Sequence, residues 1–141
     1  IAECDVAAAR TMITRPYRVR GMVTHGAGRG AKIGFPTANV EAIDTLLPAE
    51  GVYAGVAYVD GRRSGAAINI GPNPTFGEDA RKTEVHLIDW SDPVYGKAIE
   101  VDFLDRLRGV ENFSGVEQLV AQIGEDVQRA RETSQAWLAE N

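Results

Sequence analysis

Apolar and polar residues alternate with a period of two in several short runs, and each run stops at glycine, proline or an Asp-Gly pair. This alternation predicts half-buried β-strands joined by tight turns. Tyr17, Val19, Gly21 and Val23 alternate with Arg18, Arg20 and Met22, predicting a strand with its arginines on the wet face. Val52 to Val59 reads as another strand, Asp60-Gly61 as a hairpin turn and Ser64 to Gly71 as the returning strand. Glu84 to Trp90 and Lys97 to Leu104 alternate again around a turn containing Asp92-Pro93 and Gly96. The final segment changes to a 3.6-residue period. Val116, Leu119, Val120, Ile123 and Val127 make one apolar stripe behind a Ser114-x-x-Glu117 capping box, and Trp137 and Leu138 extend it. Five or six short strands followed by one helix predict a mainly β fold, a small antiparallel barrel carrying a helix.

Two segments resist that pattern. Residues 24–39 and 71–82 are too rich in glycine and proline for regular structure and read as long loops, which in compact domains are usually functional. Residues 2–13 read as a short Ala-rich helix, a linker remnant over residues 1–14 ahead of a barrel domain over 15–141. Because the first residue is Ile, the chain reads as a piece of something longer. Its 141 residues, 44% hydrophobic and 25% charged, have the size and composition of one globular domain. No apolar run approaches the roughly 18–20 residues of a membrane helix. The lone Cys4 cannot form an internal disulfide, which points to a reducing cytoplasm.

Charge is unevenly placed. The chain carries a net charge of -5, yet six basic residues and no acidic one lie between Val6 and Val40. A compact positive segment in an acidic protein fits a small anionic ligand better than a nucleic acid, which needs a wider basic face. A solvated basic edge strand is the plainer alternative.

The first loop carries glycines at 26, 28, 30 and 34, spacing that lets backbone N–H groups converge on a phosphate. It is neither a Walker A loop nor a dinucleotide fingerprint, because Ala31 breaks the first pattern and no helix pattern follows for the second. Behind it, Gly34-Phe-Pro-Thr-Ala-Asn39 places a hydroxyl, Thr37, and a carboxamide, Asn39, two residues apart. Two neutral oxygens suit Mg²⁺ beside phosphates; a proline turn followed by a capping Asn is the other reading. Strand alternation puts Val85 and Leu87 on one face and Glu84, His86 and Ile88 on the other. Glu84 at a cavity mouth could take a proton from a substrate hydroxyl during phosphoryl transfer; an exposed strand glutamate is the alternative. His25, His86 and Cys4 lack zinc-ligand spacing, and no serine nucleophile elbow is present. Asn112-Phe113-Ser114 matches a glycosylation sequon, which a cytoplasmic chain would not use.

Taken in order, these strings resemble the riboflavin kinase domain from about Arg15 to Arg131. The resemblance rests on Arg15-Pro-Tyr-x-Val-x-Gly, Gly28-Arg-Gly, Gly34-Phe-Pro-Thr-Ala-Asn39 and Leu47-Pro-Ala-x-Gly-Val-Tyr53. Asn69-Ile-Gly-x-x-Pro-Thr-Phe76, Glu84-Val-His-Leu87, Tyr95-Gly96 and Phe103-Leu-x-x-Leu-Arg108, with Phe113 behind, complete it. It implies a six-stranded antiparallel Greek-key barrel with a C-terminal helix. It also implies transfer of the γ-phosphate of ATP to the ribityl 5′-hydroxyl of riboflavin, giving FMN and ADP. By resemblance, Glu84 would be the catalytic base, and Thr37 and Asn39 would hold Mg²⁺ and the nucleotide phosphates. Gly26, Gly28, Arg29, Gly30, Lys32 and Gly34 would belong to the loop over the nucleotide, with Pro36 and Asn69 beside it. Arg108 and Phe113 would sit on the flavin side. Family members often carry a basic residue directly after the Arg29-Gly30 pair, where this chain has Ala31 and then Lys32. The resemblance further implies an N-terminal FAD synthetase domain in a longer bifunctional chain, so that this chain reads as an excised kinase module. Two competitors remain: a catalytically silent flavin- or nucleotide-binding module of the same fold, and a small barrel binding an anionic partner through residues 15–32.

Overall fold

A computed structural model describes residues 16–25, 34–41, 43, 45–73, 75 and 78–141. The linker helix expected over residues 2–13 lies outside that set, as do Gly26, Gly28, Arg29, Gly30 and Lys32. The described strands are β1 (Tyr17–Thr24), β2 (Ala38–Glu41), β3 (Gly51–Val59), β4 (Arg62–Asn73), β5 (Glu78–Leu87) and β6 (Ala98–Arg108), followed by helix α1 (Val116–Glu140). They close into an antiparallel barrel in the order β1-β2-β5-β4-β3-β6. Strands β3, β4 and β5 are successive neighbours and β6 returns beside β3, which is a Greek key. Closure removes the exposed edges that so small a sheet would otherwise present.

Period-two alternation sorts the side chains as expected. Val19 and Val23 of β1, Ala57 and Val59 of β3, Ile68 and Ile70 of β4, and Val85 and Leu87 of β5 point inward, with Phe103 edge-on to Tyr53 at 5.2 Å. Strand β3 is buried along nearly its whole length because the helix covers its outer side. There Ala54, Ile88, Val127 and Ala130 form a second apolar cluster, with Phe35, Ala67, Leu107 and Ile123 packed against it. Helix and sheet meet closely at Gly65, where a Cβ would come within 2.3 Å of the Ser134 hydroxyl.

Several expectations need correction. Residues 71–82 are not one loop: β4 runs to Asn73 and β5 starts at Glu78, with an irregular register between Gly71 and Asn73. Gly71 sits at φ +141 and Pro72 follows it, so composition disguises a bulged strand pair as a loop. Within 24–39, Ala38 and Asn39 begin β2, a strand too short to show a period. The Ser114–Glu117 capping box does not form. The N-cap is Gly115, with no side-chain cap bond, so the helix begins one residue too late for Glu117 to be the third helical residue. The apolar stripe is only half right as well: Val127 is buried, Val116 stays 46% exposed, and Asp126, Ala130 and Ser134 complete the buried face.

Candidate active site

Antiparallel register fixes which side chains can meet, and one line of partners crosses all six strands. Thr24 of β1 faces Asn39 of β2, Asn39 faces Glu84 of β5, and Glu84 faces Asn69 of β4. Asn69 then faces Val52 of β3, and Val52 faces Arg108 of β6. Because Ala38, Val40, Ile68, Ile70 and Val85 are the inward residues, Asn39, Asn69 and Glu84 lie on the outer face. Glu84 therefore does not open toward the barrel interior, as one choice of face had allowed. The interior is filled by apolar side chains, and the polar row lies outside.

The segment leading into β2 is anchored at two points. The Phe35 ring packs on the outer apolar cluster and meets His86 edge-on at 5.8 Å. The Pro36 carbonyl lies 2.7 Å from His86 Nδ1. A carbonyl only accepts, so this contact places the ring proton on Nδ1. His86 is two residues from Glu84 on the same strand face, so one strand both carries the carboxylate and tethers the Thr37 segment. Gly34, at φ +92, supplies the left-handed conformation that begins this segment. The Thr37 hydroxyl donates to Glu84 Oε2 across 3.4 Å, a long and therefore weak contact. Asn39 Nδ2 donates to Thr24 Oγ1 at 3.0 Å. Among the described residues, Asn39 Oδ1 is buried without a hydrogen-bond partner.

At the far end of the same line, Arg108 is held by the helix. Its guanidinium makes bonds of 2.8–3.1 Å to the carboxylate of Asp126, which also accepts from Gln122. The two side chains are 14% and 4% exposed, so the pair is nearly buried. Arg108 lies 5.5 Å over the Phe113 ring, and the Phe113 backbone N–H donates to the Thr75 hydroxyl. The structure thus gathers Asn39, Glu84 and Asn69 by register, joins Thr37 to them through its hydroxyl contact with Glu84, and sets Arg108 and Phe113 together at another edge. Sequence reasoning did not single out Asp126 as a partner of Arg108, Thr24 as a partner of Asn39, or His86 as a tether. The Glu-Val-His alternation was the one available signal for the last of these.

The barrel and its outer polar row define a class first: a small closed Greek-key barrel that carries a hydroxyl, a carboxamide and a carboxylate, from Thr37, Asn39 and Glu84, on its outer face. The family described as flavokinase, riboflavin kinase, matches residues 13–134. The bifunctional riboflavin kinase/FMN adenylyltransferase of Bacillus subtilis (strain 168) is 41% identical over 130 residues, covering 89% of this chain and 41% of that protein. The Escherichia coli (strain K12) protein of the same name is 35% identical over 133 residues, covering 94% of this chain and 42% of that one. A solved Streptococcus pneumoniae structure described as a macrolide-efflux protein superposes with a TM-score of 0.80 at 34% identity, covering 92% of this chain and 43% of that chain. The riboflavin kinase of Trypanosoma brucei, 24% identical, shares the fold at a TM-score of 0.58 over 86% of this chain and 81% of that one. The chain belongs to the riboflavin kinase family and is a kinase domain. It spans about two fifths of the length of the bacterial relatives it matches.

Proposed function

We propose that this riboflavin kinase domain transfers the γ-phosphoryl group of ATP to the ribityl 5′-hydroxyl of riboflavin, releasing FMN and ADP, with Glu84 as general base. The observation carrying this reading is the register row that sets Glu84 between Asn39 and Asn69, with the Thr37 hydroxyl 3.4 Å from its carboxylate. The ribityl oxygen bonds to the γ-phosphorus, the bond from that phosphorus to the β,γ-bridging oxygen breaks, and the hydroxyl proton passes to Glu84. Positioning and charge stabilisation dominate such transfers, so a row of fixed polar groups on a rigid barrel is the apparatus required.

The residues fit Mg²⁺. Asn39 Oδ1 is a buried acceptor with no partner among the described residues, and Thr37 adds a second neutral oxygen, the hard donors that Mg²⁺ prefers. Thr37 and Asn39 would hold the ion, which when bound offsets negative charge on the phosphate oxygens. Gly26, Gly28, Arg29, Gly30 and Lys32 would close over the nucleotide with Gly34 and Pro36, while Asn69 borders Glu84. Arg108 and Phe113 would shape the flavin side, the guanidinium fixed by Asp126 rather than free to swing. As in the bifunctional relatives, the kinase domain would stand beside an FMN adenylyltransferase that consumes FMN, in the cytoplasm.

Glu84→Gln is the test. It is nearly isosteric, so riboflavin and ATP affinities should hold within about threefold while turnover falls about 10²–10⁴-fold, the usual contribution of a general base. Turnover within threefold of wild type would remove Glu84 from the chemistry.

A further inference from the structure

Asn39 can present an oxygen to the phosphate site only if its amide is turned the right way, and the two ends of a carboxamide are almost the same size. Something must choose between them. On the side away from Glu84, Asn39 Nδ2 donates to Thr24 Oγ1 at 3.0 Å, and the Thr24 hydroxyl donates to Glu41 Oε2. Thr24 lies directly opposite Asn39 across the β1–β2 ladder, and Glu41 is two residues beyond Asn39 on the same face of β2. The polarity of this chain of bonds has a single sense. A carboxylate only accepts. The Thr24 hydroxyl lies 2.5 Å from Glu41 Oε2 against 3.4 Å from its other acceptor, the Asn39 backbone carbonyl. The Thr24 proton therefore goes to Glu41, and in neither case to the Asn39 amide. The Thr24 oxygen is then left as an acceptor, which Nδ2 satisfies and Oδ1 cannot. If the amide turned over, Oδ1 would face the lone pairs of Thr24 and the NH₂ group would occupy the buried place that the partnerless oxygen now holds.

We infer that Thr24 and Glu41 are positioning residues that lock the Asn39 amide with its oxygen toward the nucleotide phosphates and their Mg²⁺, an inference that rests on the reading of Asn39 given above. Neither residue needs to touch substrate. They act as outer partners that orient a ligating group, and loss of such partners typically weakens metal affinity about 10–100-fold.

The experiment is calorimetric titration of the whole chain with a non-hydrolysable ATP analogue, with Mg²⁺ and with chelator, in four variants. Thr24→Val keeps the β-branched shape that suits the strand and removes the hydroxyl. It should weaken Mg²⁺-dependent analogue binding about 10–100-fold while metal-free binding stays at the wild-type value. Thr24→Ser restores the hydroxyl and should restore the affinity, which an effect of packing alone would not do. Glu41→Gln, whose amide can donate to Thr24 as well as accept from it, should fall between Thr24→Val and wild type. Asn39→Ala separates the two levels of the account. If Asn39→Ala loses metal-dependent binding and Thr24→Val does not, the positioning role is overturned and the proposed function stands. If Asn39→Ala itself keeps wild-type metal dependence, the reading of Asn39 falls, and the roles of Thr24 and Glu41 fall with it.

Discussion

Replacing Asp126 with asparagine should cost stability through a pair eighteen residues apart that joins the end of the barrel to the helix. Asp126 is 3% exposed and takes bonds from Arg108 Nε and Nη2 and from Gln122. Asparagine keeps the volume but removes the charge and turns an N–H group toward the guanidinium. Removing one partner of a buried ion pair costs about 3–5 kcal/mol, because the other charge is left without compensation. Arg108 is 14% exposed and has Glu111 at 4.0 Å, so some compensation survives and the low end, about 3 kcal/mol, is expected. With a urea m-value of about 2 kcal/mol/M, the denaturation midpoint should drop by about 1.5 M at unchanged slope. The double variant Arg108→Met with Asp126→Leu leaves no charge alone and should regain most of that loss, since apolar replacements of buried pairs are often neutral. Riboflavin binding should be weakened in both, because Arg108 is either released or absent. A midpoint shift under about 0.3 M for Asp126→Asn would show that water already screens the pair and would refute the buried-bridge reasoning.

Gly55→Ala should destabilise by about 1–3 kcal/mol or more, measured by chemical denaturation, because a Cβ there would lie 2.3 Å from the Asp102 backbone carbonyl of β6. Tyr58 donates to the buried Asp102 carboxylate at 3.0 Å, and its phenol is pushed above the ordinary range first by burial and then by that neighbouring charge, with Arg18 and Arg63 opposing. A raised phenol adds stability that is fully present below the unfolded-state value of about 10 and is lost as pH climbs through the folded value. Ultraviolet titration should therefore show a late-ionising component that is reduced in Tyr58→Phe; a high-pH titration left unchanged by that substitution would contradict it.

How far the chain could be read in advance depended on whether a signal was local. Tyr17 to Val23 alternates cleanly because one face packs inward, whereas Val52 to Val59 reads as a strand from its unbroken apolar run, since the barrel core covers one face and the helix the other. Ala38 and Val40 carry the same alternation in β2, but two inward residues in a four-residue strand cannot show a period. The Gly71-Pro72 pair hid a bulged ladder, since the same residue types mark turns and strand irregularities alike. Among site residues, Glu84 stood out by type and alternation, yet alternation gives two faces without saying which is inside. Here the inner face is solid core. Thr24 and Asp126 were invisible for another reason: each acts through a partner distant in sequence, 15 and 18 residues away, and only register or helix docking supplies that neighbour.

The most direct measurement incubates this chain alone with riboflavin, ATP and Mg²⁺ and follows FMN and ADP by chromatography. Phosphoryl transfer to the ribityl hydroxyl predicts that the two products appear together in a one-to-one ratio and that neither forms when riboflavin is left out. Tight binding of riboflavin and ATP with no FMN formed would contradict the account and make the domain a silent flavin- and nucleotide-binding barrel.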